Sequence, residues 1–149
     1  MPEIFESHSE EETMEIAGRL AASLGPGDIV GLTGDLGAGK TRFVKGVAKA
    51  LGIDPESVNS PTFTLIQEYA GRNGLPLYHF DCYRIKSAEE ALEIGSEEYF
   101  YGDGVSVIEW PEKIEEILPT RLIRVTITVI GPDSRRIEID DPGSGEDSL

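Results

Sequence analysis

Apolar residues along this chain recur with two different periods, and the switches between them mark alternating helices and strands. Ile16, Ala17, Leu20, Ala21 and Leu24 fall on one face of a helix. Ser9 and Glu12 stand three apart just ahead of it, in the spacing of a capping box. Gly25-Pro26-Gly27-Asp28 turns the chain into Ile29-Val30-Gly31-Leu32-Thr33, a short apolar run that reads as a buried strand. Helical spacing returns at Phe43, Val44, Val47, Ala48 and Leu51, and Gly52 is placed to end that helix. Phe63–Tyr69 and Leu75–Tyr83 flank the turn signal Gly71-Arg72-Asn73-Gly74 and predict a β-hairpin.

The second half follows the same logic. Ser87-Ala88-Glu89-Glu90 has the form of another capping box, opening a short helix that Gly95 ends. Val105-Ser106-Val107-Ile108 reads as a central strand. Pro111 can start a helix over Glu112–Leu118, which Pro119 stops. From Leu122 to Ile130, Val125, Ile127 and Val129 alternate with Arg124, Thr126 and Thr128, which predicts a strand with one exposed face. Gly131-Pro132-Asp133-Ser134 is a turn, and Arg135–Ile139 returns as a last strand. Residues 140–149 lack an apolar pattern and read as an acidic, disordered tail. The fold expected is α/β: a single P-loop NTPase domain over residues 1–139, with a mixed parallel and antiparallel sheet and helices on both faces.

The chemistry sits between the first predicted strand and the second helix. Gly34-Asp35-Leu36-Gly37-Ala38-Gly39-Lys40-Thr41 is the P-loop signature G-x-x-x-x-G-K-[ST], in the strand–loop–helix setting that supports it. Glycines let backbone N–H groups close around phosphates, Lys40 would reach the β- and γ-phosphates, and Thr41 would coordinate Mg²⁺. The helix N-terminus adds a positive dipole end. Gly37, Ala38, Gly39, Lys40, Thr41 and Arg42 are therefore the expected ATP-binding residues. An incidental glycine-rich turn is the bland alternative.

A P-loop NTPase also needs an acid near the metal, at the end of a buried strand. Glu109 follows Val105–Ile108, and Asp81 follows Leu77-Tyr78-His79-Phe80. One could hold the metal and the other orient the attacking water, and the sequence leaves their roles open. Ser60-Pro61-Thr62 lies where many NTPases carry a γ-phosphate-sensing loop, or is an ordinary turn. Trp110 reads as a core anchor, with proximity to the nucleotide site as the second reading. His79 and Cys82 receive no role.

Composition narrows the class. The chain has 149 residues, 28 of them acidic against 13 basic, for a net charge of −15. Nucleic-acid binding rests largely on phosphate neutralisation, and no basic stripe is present to supply it. No apolar run approaches the roughly 20 residues of a membrane span. The N-terminus lacks the pattern of a secretory signal, and Cys82 is the single cysteine. These features predict a cytoplasmic protein.

Taken in order, GDLGAGKT, Ser60-Pro61-Thr62-Phe63, His79-Phe80-Asp81-Cys82-Tyr83-Arg84 and Ile108-Glu109-Trp110-Pro111-Glu112 resemble the TsaE (YjeE) family of small bacterial ATPases. The resemblance covers nearly the whole chain except the acidic tail. It implies a role in forming threonylcarbamoyladenosine in tRNAs that read ANN codons. It implies that TsaD performs the carbamoyl transfer with TsaB, and that this chain binds the TsaB–TsaD pair and hydrolyses ATP to allow repeated turnover. It implies Mg²⁺ bound by Thr41 and Glu109, with Glu109 Walker-B-like, Asp81 an active-site acid and Thr62 in a switch-like loop. By the same resemblance, the regions near Thr13 and Arg135 flank the adenine. Contact with tRNA would run only through partners, which suits an acidic surface. Two other readings of the P-loop are a small-molecule kinase and a nucleotide-gated binding module without turnover. A GTPase is disfavoured, since no Asn-Lys-x-Asp motif occurs.

Overall fold

The computed structural model describes residues 2–35, 37–58 and 66–142. Among these residues seven strands form one sheet: β1 (Glu3–Ser7), β2 (Ile29–Thr33), β3 (Ile66–Ala70), β4 (Pro76–Asp81), β5 (Val105–Glu109), β6 (Ile123–Val129) and β7 (Arg135–Asp140). Their order is β1-β7-β6-β2-β5-β4-β3. The four central strands run parallel, and antiparallel pairs close both edges: β7 and β1 on one side, β3 on the other. The mixed α/β architecture expected from the sequence is the one observed.

Parallel strands need both faces covered, and the period of two sorts side chains accordingly. Val30, Leu32, Leu77, Val105, Val107, Ile123, Val125 and Ile127 face one core. Helices α1 (Glu10–Ala21) and α2 (Lys40–Ala50) close it with Ile16, Ala17, Phe43, Val44 and Val47. Ile29, Phe80, Ile108 and Leu122 face the other core, where Ala91 of α3 (Ala88–Glu93) and Phe100 of α4 (Ser96–Phe100) join Ile114. Burying a side chain such as Phe43 stabilises the fold by about 1.5–3 kcal/mol. Among the described residues no helix is long and apolar enough to cross a membrane.

Several local expectations need correction. Strand β1 was not foreseen, because Ile4 and Phe5 are too few to show a period; Ile4 is exposed, and Phe5 packs on the first core. The Ser9 hydroxyl does accept from Glu12 N, at 3.0 Å, while the Glu12 carboxylate accepts from His8 N rather than from Ser9. Ser87 makes no side-chain cap; the Glu90 carboxylate instead accepts from Lys86 N. Gly95, at φ 83°, ends α3 as expected, but α4 starts at once after it. The segment after Pro111 is a 3₁₀ stretch, Pro111–Ile117, kinked at Ile114, rather than an α-helix. So short a segment is held by packing of Ile114 more than by its own hydrogen bonds. Val129 is 50% exposed, not buried. The last rung between β2 and β6 is Thr33↔Thr126, so Val129 has run past that neighbour.

The two helices on the first core approach closely through glycine. A Cβ on Gly46 would meet the Met14 carbonyl at 2.6 Å and the Ala17 methyl at 2.7 Å. Gly18, by contrast, has only the Ala50 methyl at 3.9 Å. Gly46→Ala is expected to cost about 1–3 kcal/mol through overpacking, whereas Gly18→Ala should stabilise by about 0.5–1 kcal/mol. Urea denaturation of the two variants checks the contrast, and equal effects would contradict the packing described.

Candidate functional site

The loop after β2 is shaped by backbone that other residues tolerate poorly. Gly37 and Gly39 adopt left-handed conformations, at φ 80° and 104°. Gly39 is the N-cap of α2, and Phe43 N donates to its carbonyl at 3.0 Å. Ala38 N donates back to Asp35 O at 3.0 Å, tightening the turn. From the other side, Arg135 Nε donates to Ala38 O at 2.9 Å, while its Nη1 donates to Gly131 O and Ser134 O. The β6–β7 turn thereby braces the loop. Arg42 in the first turn of α2 pairs with Glu10 of α1 at 3.1 Å, so its guanidinium is committed to the helix pair.

Lys40, the first residue of α2, is only 5% exposed. Its Nζ donates to Gly34 O at 2.6 Å and lies 3.4 Å from the centre of the Trp110 ring. It forms no ion pair among the described residues. Burial lowers its pKa from the ordinary lysine value, opposed by the charges of Glu109, Glu112, Asp81 and Asp35. Desolvation disfavours the ammonium and the acids favour it. A buried ammonium with a carbonyl and a ring for company can be strengthened by an anionic ligand.

The two strand-end acids stand together. Asp81 pairs with Glu109 across β4 and β5, and Glu109 with Leu32 across β5 and β2. Glu109 is 4% exposed, and its Oε2 is hydrogen-bonded to His79 Nε2 at 2.6 Å. Asp81 is half-buried, and its Oδ1 accepts from Tyr83 N at 3.0 Å. Cys82 N donates to Glu109 O at 3.0 Å, and Trp110 N to Leu32 O at 3.4 Å. Trp110 has φ 62°, a left-handed conformation uncommon for a large side chain. It packs on the second core while its face carries Lys40 and its neighbour is Tyr83, with ring centres 5.0 Å apart.

The structure thus brings Lys40, Asp81 and Glu109 together beside the loop glycines. Thr41 is half-buried and engaged with neighbouring groups. Thr62 lies outside the described residues. Thr13, placed near the adenine by resemblance, is buried with its hydroxyl 2.7 Å from that of Ser7. Sequence reasoning missed His79 and ranked Trp110 as core. The signal for His79 was available: it lies two before Asp81 and so on the same strand face. Hydroxyl and carboxylate oxygens of Thr41, Asp81 and Glu109 are the hard donors that suit Mg²⁺, which commonly takes one or two carboxylates and completes its shell with waters and substrate phosphates.

The model of the TsaE family, described as threonylcarbamoyl adenosine biosynthesis protein TsaE, matches residues 7–137. This chain belongs to the TsaE family. It is 48% identical to the tRNA threonylcarbamoyladenosine biosynthesis protein TsaE of Bacillus subtilis, over 93% of this chain and 85% of that one. The TsaE of Treponema pallidum is 46% identical, over 83% of this chain and 87% of its own length. The crystal structure of Bacillus subtilis YdiB superposes with a TM-score of 0.80 at 40% identity, covering 99% of this chain and 90% of that one. The segment matched to the TsaE family contains the whole P-loop together with Asp81 and Glu109.

Cys82, next to Asp81 in the chain, is buried in the second core of this TsaE-family fold. Burial first, then the charges of Asp81, Glu112 and Glu109, pushes its thiol up to about 12. At pH 8 its thiolate fraction falls roughly 10³-fold below that of a free cysteine. Iodoacetamide labelling at pH 8 should therefore be at least about 10³-fold slower in the native protein than in the urea-unfolded chain. Comparable rates in the two states would contradict the buried placement.

Proposed function

We propose that this chain is the ATPase component of threonylcarbamoyladenosine formation, binding Mg²⁺ and ATP on the P-loop and acting on a TsaB–TsaD pair in the cytoplasm. The observation that carries the reading is the buried Lys40 ammonium, with no ion pair among the described residues, beside left-handed loop glycines and the adjacent acids Asp81 and Glu109. Family membership directs that chemistry toward tRNA modification.

Each residue then has a task within its own reach. Lys40 exchanges Gly34 O for phosphate oxygens and neutralises their charge. The N–H groups of Gly37, Ala38, Gly39, Lys40, Thr41 and Arg42 face the phosphates at the positive end of α2. Thr41 and Glu109 hold the metal. Asp81 accepts a proton from, or orients, the attacking water. Thr62 belongs to a loop that responds to the γ-phosphate. Mg²⁺, when bound, supplies neutralisation of charge on the phosphate oxygens. Arg135 keeps the loop backbone in place through Ala38. A net charge of −15 leaves tRNA contact to the partners.

With Mg²⁺ and ATP the protein alone should hydrolyse slowly, and faster when TsaB and TsaD homologues are added. Lys40→Ala should weaken ATP binding about 10–100-fold, the worth of one or two charge-assisted hydrogen bonds. Asp81→Asn should leave affinity within a few-fold and lower turnover about 10²-fold. Calorimetric titration and phosphate release give both numbers. If the partners change neither ATP turnover nor tRNA modification, the proposed role is wrong.

A further inference from the structure

The proposed chemistry gives Glu109 a task but leaves its buried contact with His79 without one. Both side chains are excluded from solvent, with side-chain exposures of 0% and 5%, and the Nε2–Oε2 distance is 2.6 Å. Nδ1 of His79 has no partner among the described residues. The carboxylate only accepts, so Nε2 carries the proton and donates it, and the unpartnered Nδ1 keeps its lone pair. A histidine filling space alone would bury two polar nitrogens to no purpose, when leucine or valine would pack as well. What the imidazole adds is one directed N–H.

We propose that His79 is a positioning residue that fixes the Glu109 carboxylate for the metal. The inference rests on the reading of Glu109 as the metal-side acid. The sheet sets both backbones: His79 pairs with Val107, and Glu109 lies two residues further along the same face. Asp81 stands directly across from Glu109, so two carboxylates share one end of the sheet and oppose each other. Donation from His79 gives the buried carboxylate a directed hydrogen bond. It engages Oε2 and leaves Oε1 for the metal. Hydrogen bonds to ligating carboxylates commonly matter about 10–100-fold in metal affinity or activity.

The test uses two variants of similar polarity. His79→Gln keeps an N–H at the position of Nε2, whereas His79→Asn is too short to present one there. ADP affinity is measured by calorimetry with Mg²⁺ and with EDTA, and the ratio of the two is the readout. His79→Asn should shrink the magnesium enhancement about 10–100-fold with ADP affinity in EDTA unchanged, and His79→Gln should restore most of it. In the ligand-free protein, ¹⁵N spectra of the histidine ring should show Nε2 protonated and Nδ1 bare, with the Nε2–H signal shifted by Glu109→Ala. Equal magnesium enhancement in wild type, Asn and Gln variants overturns the positioning role. So does a loss of affinity in His79→Asn that is as large in EDTA as in magnesium, since that marks general damage to the fold. If wild type itself shows no magnesium enhancement, the metal reading of Glu109 fails and takes this inference with it. A ring protonated on Nδ1 alone overturns the inference while leaving that metal reading standing.

Discussion

Leu32, Glu109 and Asp81 lie in one row across β2, β5 and β4, and the site depends on that row staying in register. The P-loop leaves β2 just beyond Leu32, so the loop and both acids emerge at the same level of the sheet. A slip of one residue in β5 would send Glu109 to the opposite face and bring Ile108 to the site. The slip is opposed from both sides at once. Val105 and Val107 belong to the core under α1 and α2, and Ile108 to the core under α3 and α4. A strand buried on both faces has no cheap alternative register, and the acids inherit their placement from apolar residues that do no chemistry.

The same row concentrates charge in a region of low polarity. Lys40, Glu109 and His79 are each nearly excluded from water. Lys40 is held by a carbonyl and an aromatic face, and Glu109 by an imidazole, so neither neutralises the other through direct contact. Had the two formed a close ion pair, phosphate would have to break it before gaining anything from the lysine. The observed arrangement keeps the ammonium stabilised by groups that can be exchanged at modest cost. Trp110, with its left-handed backbone directly after Glu109, contributes the ring over which Lys40 Nζ lies.

How far this was readable in advance depends on the range of the interaction. The P-loop, the strand before it and the helix after it are local patterns, and the apolar periods of Ile29–Thr33 and Phe43–Leu51 carried them. The hairpin was legible because Gly71–Gly74 is a strong turn signal, and β3 and β4 pair antiparallel as expected. Strand β1 was not, since its place rests on pairing with β7, more than a hundred residues away. Asp81 and Glu109 could be named individually as strand ends. Their adjacency could not, because nothing in the sequence states that β4 lies beside β5. For the same reason His79 looked like an ordinary strand residue: its partner is thirty positions distant. Trp110 was ranked by its size, which says nothing of its left-handed backbone or of the Lys40 ammonium over its ring.

A net charge of −15 works against the proposed triphosphate site, and screening reconciles the two. Exposed charges are largely screened beyond about 8 Å at physiological ionic strength. A phosphate group inserted beside α2 feels first the buried Lys40, the loop N–H groups and the helix end, in surroundings where interactions are screened least. The exposed glutamates of α3 and α4, on the side of the other core, act on it only weakly, and Glu10 of α1 is already paired with Arg42. A tRNA has no such escape. Its phosphates are spread along a surface and would meet those glutamates directly, without a basic stripe to offset them. One acidic surface can therefore coexist with a small buried anion site while offering a polyanion little attraction, which is compatible with the proposed role of a nucleotide-handling subunit whose partners hold the RNA.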